Sequence, residues 1–110
     1  MTSESFRRQL EALSAEYRSG LPEKLAEIEC LWRDLANGVV DPARLTDLRR
    51  ELHSLAGSAK TFGVAQVGEA ALAAEVFLEA FCTQATLPGP AGQAEFSRLI
   101  DVLKLQAAES

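Results

Sequence analysis

Histidine occurs once in the 110 residues, cysteine twice, and tryptophan, tyrosine and methionine once each. One histidine and two distant cysteines, Cys30 and Cys82, provide neither a metal-ligand spacing nor the disulfide framework of a small secreted domain. Both thiols are expected in or near the core. Aromatic residues make up only 6% and β-branched runs are scarce, so the side chains that favour sheet are largely missing. Positive charge is also in the minority, with 11 Lys and Arg against 16 Asp and Glu and a formal net charge of −5. A general nucleic-acid binder, which needs a basic face to replace phosphate counterions, is excluded on that ground. No apolar run approaches the roughly 20 residues that span a bilayer. The polar start Met1-Thr2-Ser3-Glu4-Ser5 lacks the basic-then-apolar pattern of a leader. The expectation is a cytoplasmic protein with no membrane or nucleic-acid partner.

What the chain does have is alanine, leucine and helical periodicity. With 47% apolar residues it can build one core, and its length suits one domain over residues 1–110, with no internal repeat. Phe6, Leu10, Leu13, Tyr17, Leu21, Leu25, Ile28, Trp32 and Leu35 form one stripe that keeps phase across Gly20 and Pro22. We read one long helix over about 4–36, kinked near Pro22. At about 1.5 Å per residue it would approach 50 Å, so its N-terminal part should bend or overhang the rest. Asn37-Gly38 closes it, and Asp41-Pro42 supplies the N-cap and first position of a second helix over 42–62. Its stripe is Leu45, Leu48, Leu52, Leu55, Ala59 and Phe62, with Gly63 available for a left-handed stop. A third helix over 64–82 follows on Val64, Val67, Ala71, Ala74, Leu78 and Phe81. The stretch 83–92, with Leu87-Pro88-Gly89-Pro90-Ala91-Gly92 inside it, reads as the one long loop. A last helix over 93–107 buries Phe96, Leu99, Ile100 and Leu103. The short connection between the first two helices makes them antiparallel neighbours, and the fold class is an all-α antiparallel four-helix bundle.

The single histidine lies off the buried stripe of the second helix. At about 100° per residue the stripe centres roughly 130° from His53, while Thr46, Arg49, Arg50, Gly57 and Lys60 fall within about 60° of it. The imidazole is therefore expected outside, among cations. Gly57 stands one turn later in mid-helix, where glycine costs about 1 kcal/mol relative to alanine. With the small Ala56 beside it, Gly57 leaves room for a partner's loops to approach the ring. Lys60, Arg49 and Arg50 could stabilise a phosphoryl group there by charge-assisted hydrogen bonds.

The segment His53-x-Leu55-x-Gly57-Ser58-Ala59-x-x-Phe62-Gly63 resembles the signature of histidine phosphotransfer (HPt) domains. The resemblance implies a four-helix bundle that carries phosphate on His53 between receiver-domain aspartates. Many members place a lysine three residues after the histidine, where this chain has Ala56; Lys60 matches another position that is often basic. Glu75 matches the Glu or Gln that members set opposite the histidine. As an acceptor from Nδ1–H it would fix the tautomer and leave the Nε2 lone pair outward. The function implied is a phosphorelay intermediate, expected to be monomeric, whose partners are receiver domains of response regulators or hybrid kinases. It would have no cofactor of its own, Mg²⁺ coming with the receiver. Gly57-Ser58-Ala59-Lys60-Thr61 lacks the glycines of a phosphate-binding loop, so no nucleotide site and no enzyme is expected. Two alternatives stay open: a helical interaction module that binds a signalling partner without carrying phosphate, and one domain of a larger sensor kinase.

Overall fold

Four helices carry the four stripes: α1 (Thr2–Ala36), α2 (Pro42–Thr61), α3 (Ala65–Gln84) and α4 (Pro90–Ala108). They pack as an all-α four-helix bundle. The computed structural model describes residues 2–37, 41–84 and 88–109. The expected helix end at Gly38 and the Ala85, Thr86 and Leu87 part of the expected loop lie outside the described residues. No helix among the described residues is long and apolar enough to cross a membrane.

Apart from the first turns of α1, each helix buries the face its spacing marks. Leu21, Ile28, Trp32 and Leu35 of α1 meet Leu45, Leu48, Leu52 and Leu55 of α2, with Val67, Ala71, Ala74 and Leu78 of α3 and Phe96, Ile100 and Leu103 of α4 completing the core. Trp32 ties α1 to α4: its ring lies 4.5 Å from that of Phe96, and its Nε1 donates to Ser97 Oγ at 3.2 Å. The 35-residue α1 runs through Gly20 and Pro22 as one element and is far longer than its neighbours of 20, 20 and 19 residues. Its first turns overhang the bundle. Phe6, Leu10 and Leu13 are 65%, 43% and 51% exposed, although they continue the stripe that is buried from Leu21 onward.

Contact with the bundle begins at Tyr17. Its ring stacks on Phe62 at 4.8 Å and its hydroxyl shares a 2.6 Å hydrogen bond with Ser58 Oγ, pinning α1 to the C-terminal end of α2. There the chain turns tightly into α3. Gly63 has φ 81°, Val64 N–H donates to Ala59 O at 2.9 Å, and Gly63 N–H donates to Lys60 O at 3.4 Å. This is the Schellman pairing, with buried Val64 against buried Ala59 as its apolar contact.

Gly68 lets α2 and α3 approach. A Cβ there would stand 3.0 Å from the Ala56 carbonyl oxygen and 3.1 Å from Lys60 Cγ.

The expected loop 83–92 is too long. Helix α3 continues to Gln84, and α4 starts at Pro90 rather than at 93. Pro90 occupies the first position of α4, where its missing N–H has no intrahelical role, and the extended Gly89 precedes it as N-cap. Gly92 fits the first turn because a side chain would collide there: a Cβ would lie 2.9 Å from Pro88 Cβ, with the Phe77 and Phe81 rings just beyond.

Candidate functional site

His53 sits in the middle of α2 with 73% of its side chain exposed. Its Nδ1 stands 2.8 Å from Glu75 Oε2 on α3, a contact that connects the second and third helices at the surface. The two partners differ sharply in burial. Glu75 is 9% exposed and is the charged residue the bundle buries among those described. Because an ionised carboxylate only accepts, Nδ1 is the donor in this pair, and the tautomer so assigned leaves Nε2 with its lone pair. Among the described residues no hydrogen bond engages Nε2.

A shallow open concavity surrounds the ring, lined by His53, Ala56, Gly57, Lys60, Leu72, Glu75, Val76 and Glu79. Gly57 is exposed, and a Cβ built on it would meet nothing within 4 Å. Ala56 is 6% exposed and forms the floor, with its carbonyl turned to Gly68. Lys60 lies at the rim, its stem over Gly68 and its residue exposed.

The two arginines take different neighbours. Arg50 Nη1 lies 3.5 Å from Asp47 Oδ1 at the exposed surface of α2. Arg49 Nη1 lies 3.7 Å from Glu75 Oε2. Arg49 also reaches Cys82: burial pushes that thiol up from its ordinary value, and the Arg49 guanidinium, by its charge and a hydrogen bond, pulls it back in part. Glu75 Oε1 is buried without a hydrogen-bond partner among the described residues.

Leu72 and Val76 are site residues that the sequence motif does not include. They are 41% and 58% exposed and flank Glu75 on the wall of the concavity. The signal was present, since both are apolar residues of α3 that fall off its buried stripe of Val67, Ala71, Ala74 and Leu78.

The fold and the site together define an all-α bundle that presents one histidine to solvent with its inner ring nitrogen bound to a buried carboxylate. The model of the Hpt domain matches residues 4–108, and the chain belongs to that family. Hpt domains are phosphocarrier modules of two-component phosphorelays, generally working with receiver domains. No curated protein and no solved structure matches the chain in the corresponding comparisons.

Proposed function

We propose that this protein accepts a phosphoryl group on Nε2 of His53, from a receiver-domain aspartate or a kinase, and passes it to the aspartate of another receiver. The observation that supports this best is the asymmetry of the ring, whose Nδ1 is held by Glu75 at 2.8 Å while the rest is open to solvent. In the forward step the Nε2 lone pair attacks phosphorus, an N–P bond forms, and the acyl P–O bond breaks to leave the aspartate as a carboxylate. The proton on Nδ1 stays in place. The ring gains positive charge as the N–P bond forms, and the Glu75 carboxylate lies where it offsets that charge.

The remaining parts of the site assist docking and anion binding. Lys60 at the rim is the cation we assign to the phosphoryl oxygens, with Arg50 as a further positive group on the same helix. Gly57 leaves the approach to the ring open, and exposed Leu72 and Val76 offer apolar contact to the receiver. The Mg²⁺ and most of the electrostatic catalysis would come with the receiver, in keeping with phosphoryl transfer as a matter of positioning and charge stabilisation.

Incubation with phosphorylated receivers from the same cell tests the reading. Label should appear on the wild type, be lost on brief acid treatment as a phosphoramidate, and be absent from His53→Gln, whose melting should match the wild type because the side chain is 73% exposed. Acid-stable label, or label on folded His53→Gln, refutes the proposal.

A further inference from the structure

Glu75 presents a physical problem. A carboxylate that is 9% exposed is strongly disfavoured in its charged form unless a cation or several donors compensate it, yet Oε1 has no hydrogen-bond partner among the described residues. In its neutral form the ring of His53 supplies one hydrogen bond to Oε2 and no net charge. Among the described residues the positive charge within ion-pair distance is Arg49, whose Nη1 stands 3.7 Å from the same oxygen. Its guanidinium points at α3, between Glu75 and Cys82.

We propose that Arg49 is a positioning residue that acts on His53 through Glu75, keeping the buried carboxylate charged and turned to Nδ1. This rests on the phosphocarrier reading and assigns Arg49 a task within it other than binding phosphate. The groups facing the His53–Glu75 pair are Arg49 and Lys60 of α2 and Glu79 of α3, with the Cys82 thiol beyond Arg49. With Arg49 present, an arginine, a carboxylate and a neutral ring sum to no net charge. Without it the pair is left with one uncompensated negative charge, which favours a proton on either partner. A proton on Glu75 ends its role as a charged acceptor and frees the other tautomer. A proton on the ring caps Nε2. Either way the nucleophilic form, with Nδ1–H held and Nε2 bare, becomes less populated.

The test is made on the unphosphorylated protein. With ¹⁵N-labelled imidazole, the wild type at pH 7 should show a bare Nε2 and a protonated Nδ1. Arg49→Gln should move the Nε2 signal toward the protonated nitrogen, Arg49→Lys should restore it at least in part, and transfer from a phosphorylated receiver should fall by about tenfold, the scale for losing a group that orients a histidine. Arg49→Met, which keeps the aliphatic stem against α3, serves the same purpose if the glutamine variant does not fold. Glu75→Gln provides a second reading, because in that background Arg49→Gln should lower transfer no further. An unchanged Nε2 signal in Arg49→Gln, or an equal loss of transfer with and without Glu75, overturns the proposal. Failure of every receiver to label His53 would instead remove the phosphocarrier reading, while the ring signal would still decide what Arg49 does.

Discussion

Replacing Gly57 separates what the site requires from what the helix requires. A Cβ at this position meets nothing within 4 Å, so a new side chain brings no clash with the bundle. The stability change then reduces to helix propensity, in which leucine exceeds glycine by roughly 0.6–0.9 kcal/mol. For a domain of this size that should raise the melting temperature by about 2–5 °C. The same side chain should obstruct the site. Helical side chains lean toward the N-terminus, so a residue one turn after His53 lies over the turn that carries the ring. Gly57→Leu would therefore screen the imidazole while stabilising the bundle, and Gly57→Ala, with one methyl and the higher helix propensity, should be at least as stable and less obstructive. Thermal denaturation followed by helical circular dichroism gives the first quantity, and the initial rate of labelling by a phosphorylated receiver gives the second. We expect at least a tenfold loss of rate in the leucine variant, a smaller loss in the alanine variant, and melting at or above the wild type in both. A leucine variant that melts lower shows that Gly57 serves packing. One that melts higher and transfers normally shows that the open space beside His53 has no part in docking.

Gly68 should respond in the opposite sense, because its absent Cβ would press on the backbone oxygen of Ala56 at 3.0 Å and on Lys60 Cγ at 3.1 Å. Overpacking of this kind costs about 1–3 kcal/mol, enough to outweigh the propensity gain of about 1 kcal/mol, so Gly68→Ala should melt lower than the wild type; a higher melting temperature refutes the close approach of α2 and α3. Cys82 should alkylate more slowly than the exposed Cys30 near pH 8, since burial raises its thiol and lowers the thiolate fraction, and peptide mapping after iodoacetamide treatment reads this directly. The linkage has a definite sign: the folded state holds the Cys82 proton to higher pH than the unfolded chain, so this contribution to stability is complete below the unfolded value and is lost as pH rises through the folded one. Equal alkylation of both thiols would refute the assignment.

Apolar spacing placed the helices because burial and the helical period act on the same residues, but spacing says nothing about whether a face finds a partner. Phe6, Leu10 and Leu13 repeat as Leu21, Leu25 and Ile28 do, yet the first set is exposed and the second buried. The difference lies in length. A 35-residue helix cannot be covered by neighbours of about 20 residues, and a comparison of lengths foretold the overhang where periodicity alone would have buried it. Pro90 and Gly92 look like breakers in the sequence, although proline at a first helical position breaks nothing and the glycine answers a crowded turn. Gly68 gave no signal at all. It stands among small residues, and its requirement comes from the backbone of another helix.

The pairing of His53 with Glu75 was less hidden than it looked, and the reason lies at the far end of the motif. Among the described residues, no hydrogen bond or ring contact joins Ser58, Phe62 or Gly63 to the imidazole; Ser58 and Phe62 hold Tyr17, and Gly63 takes the left-handed turn that carries α2 directly into α3. A turn that short fixes the register of an antiparallel pair. Residues about equally far before and after it must face each other, because both helices rise by about 1.5 Å per residue. His53 with Glu75, Lys60 with Gly68, and Leu45 with Cys82 all obey that rule about the Gly63-Val64 joint. Counting outward from Gly63 therefore identifies the helical level at which a carboxylate can reach His53. It does not identify Arg49, which lies on the same helix as the ring and reaches it by way of the helix opposite. The conformational part of the motif and its chemical part are thus coupled through one turn, and a change at Gly63 that lengthened the connection would carry Glu75 out of register with His53 without altering either residue.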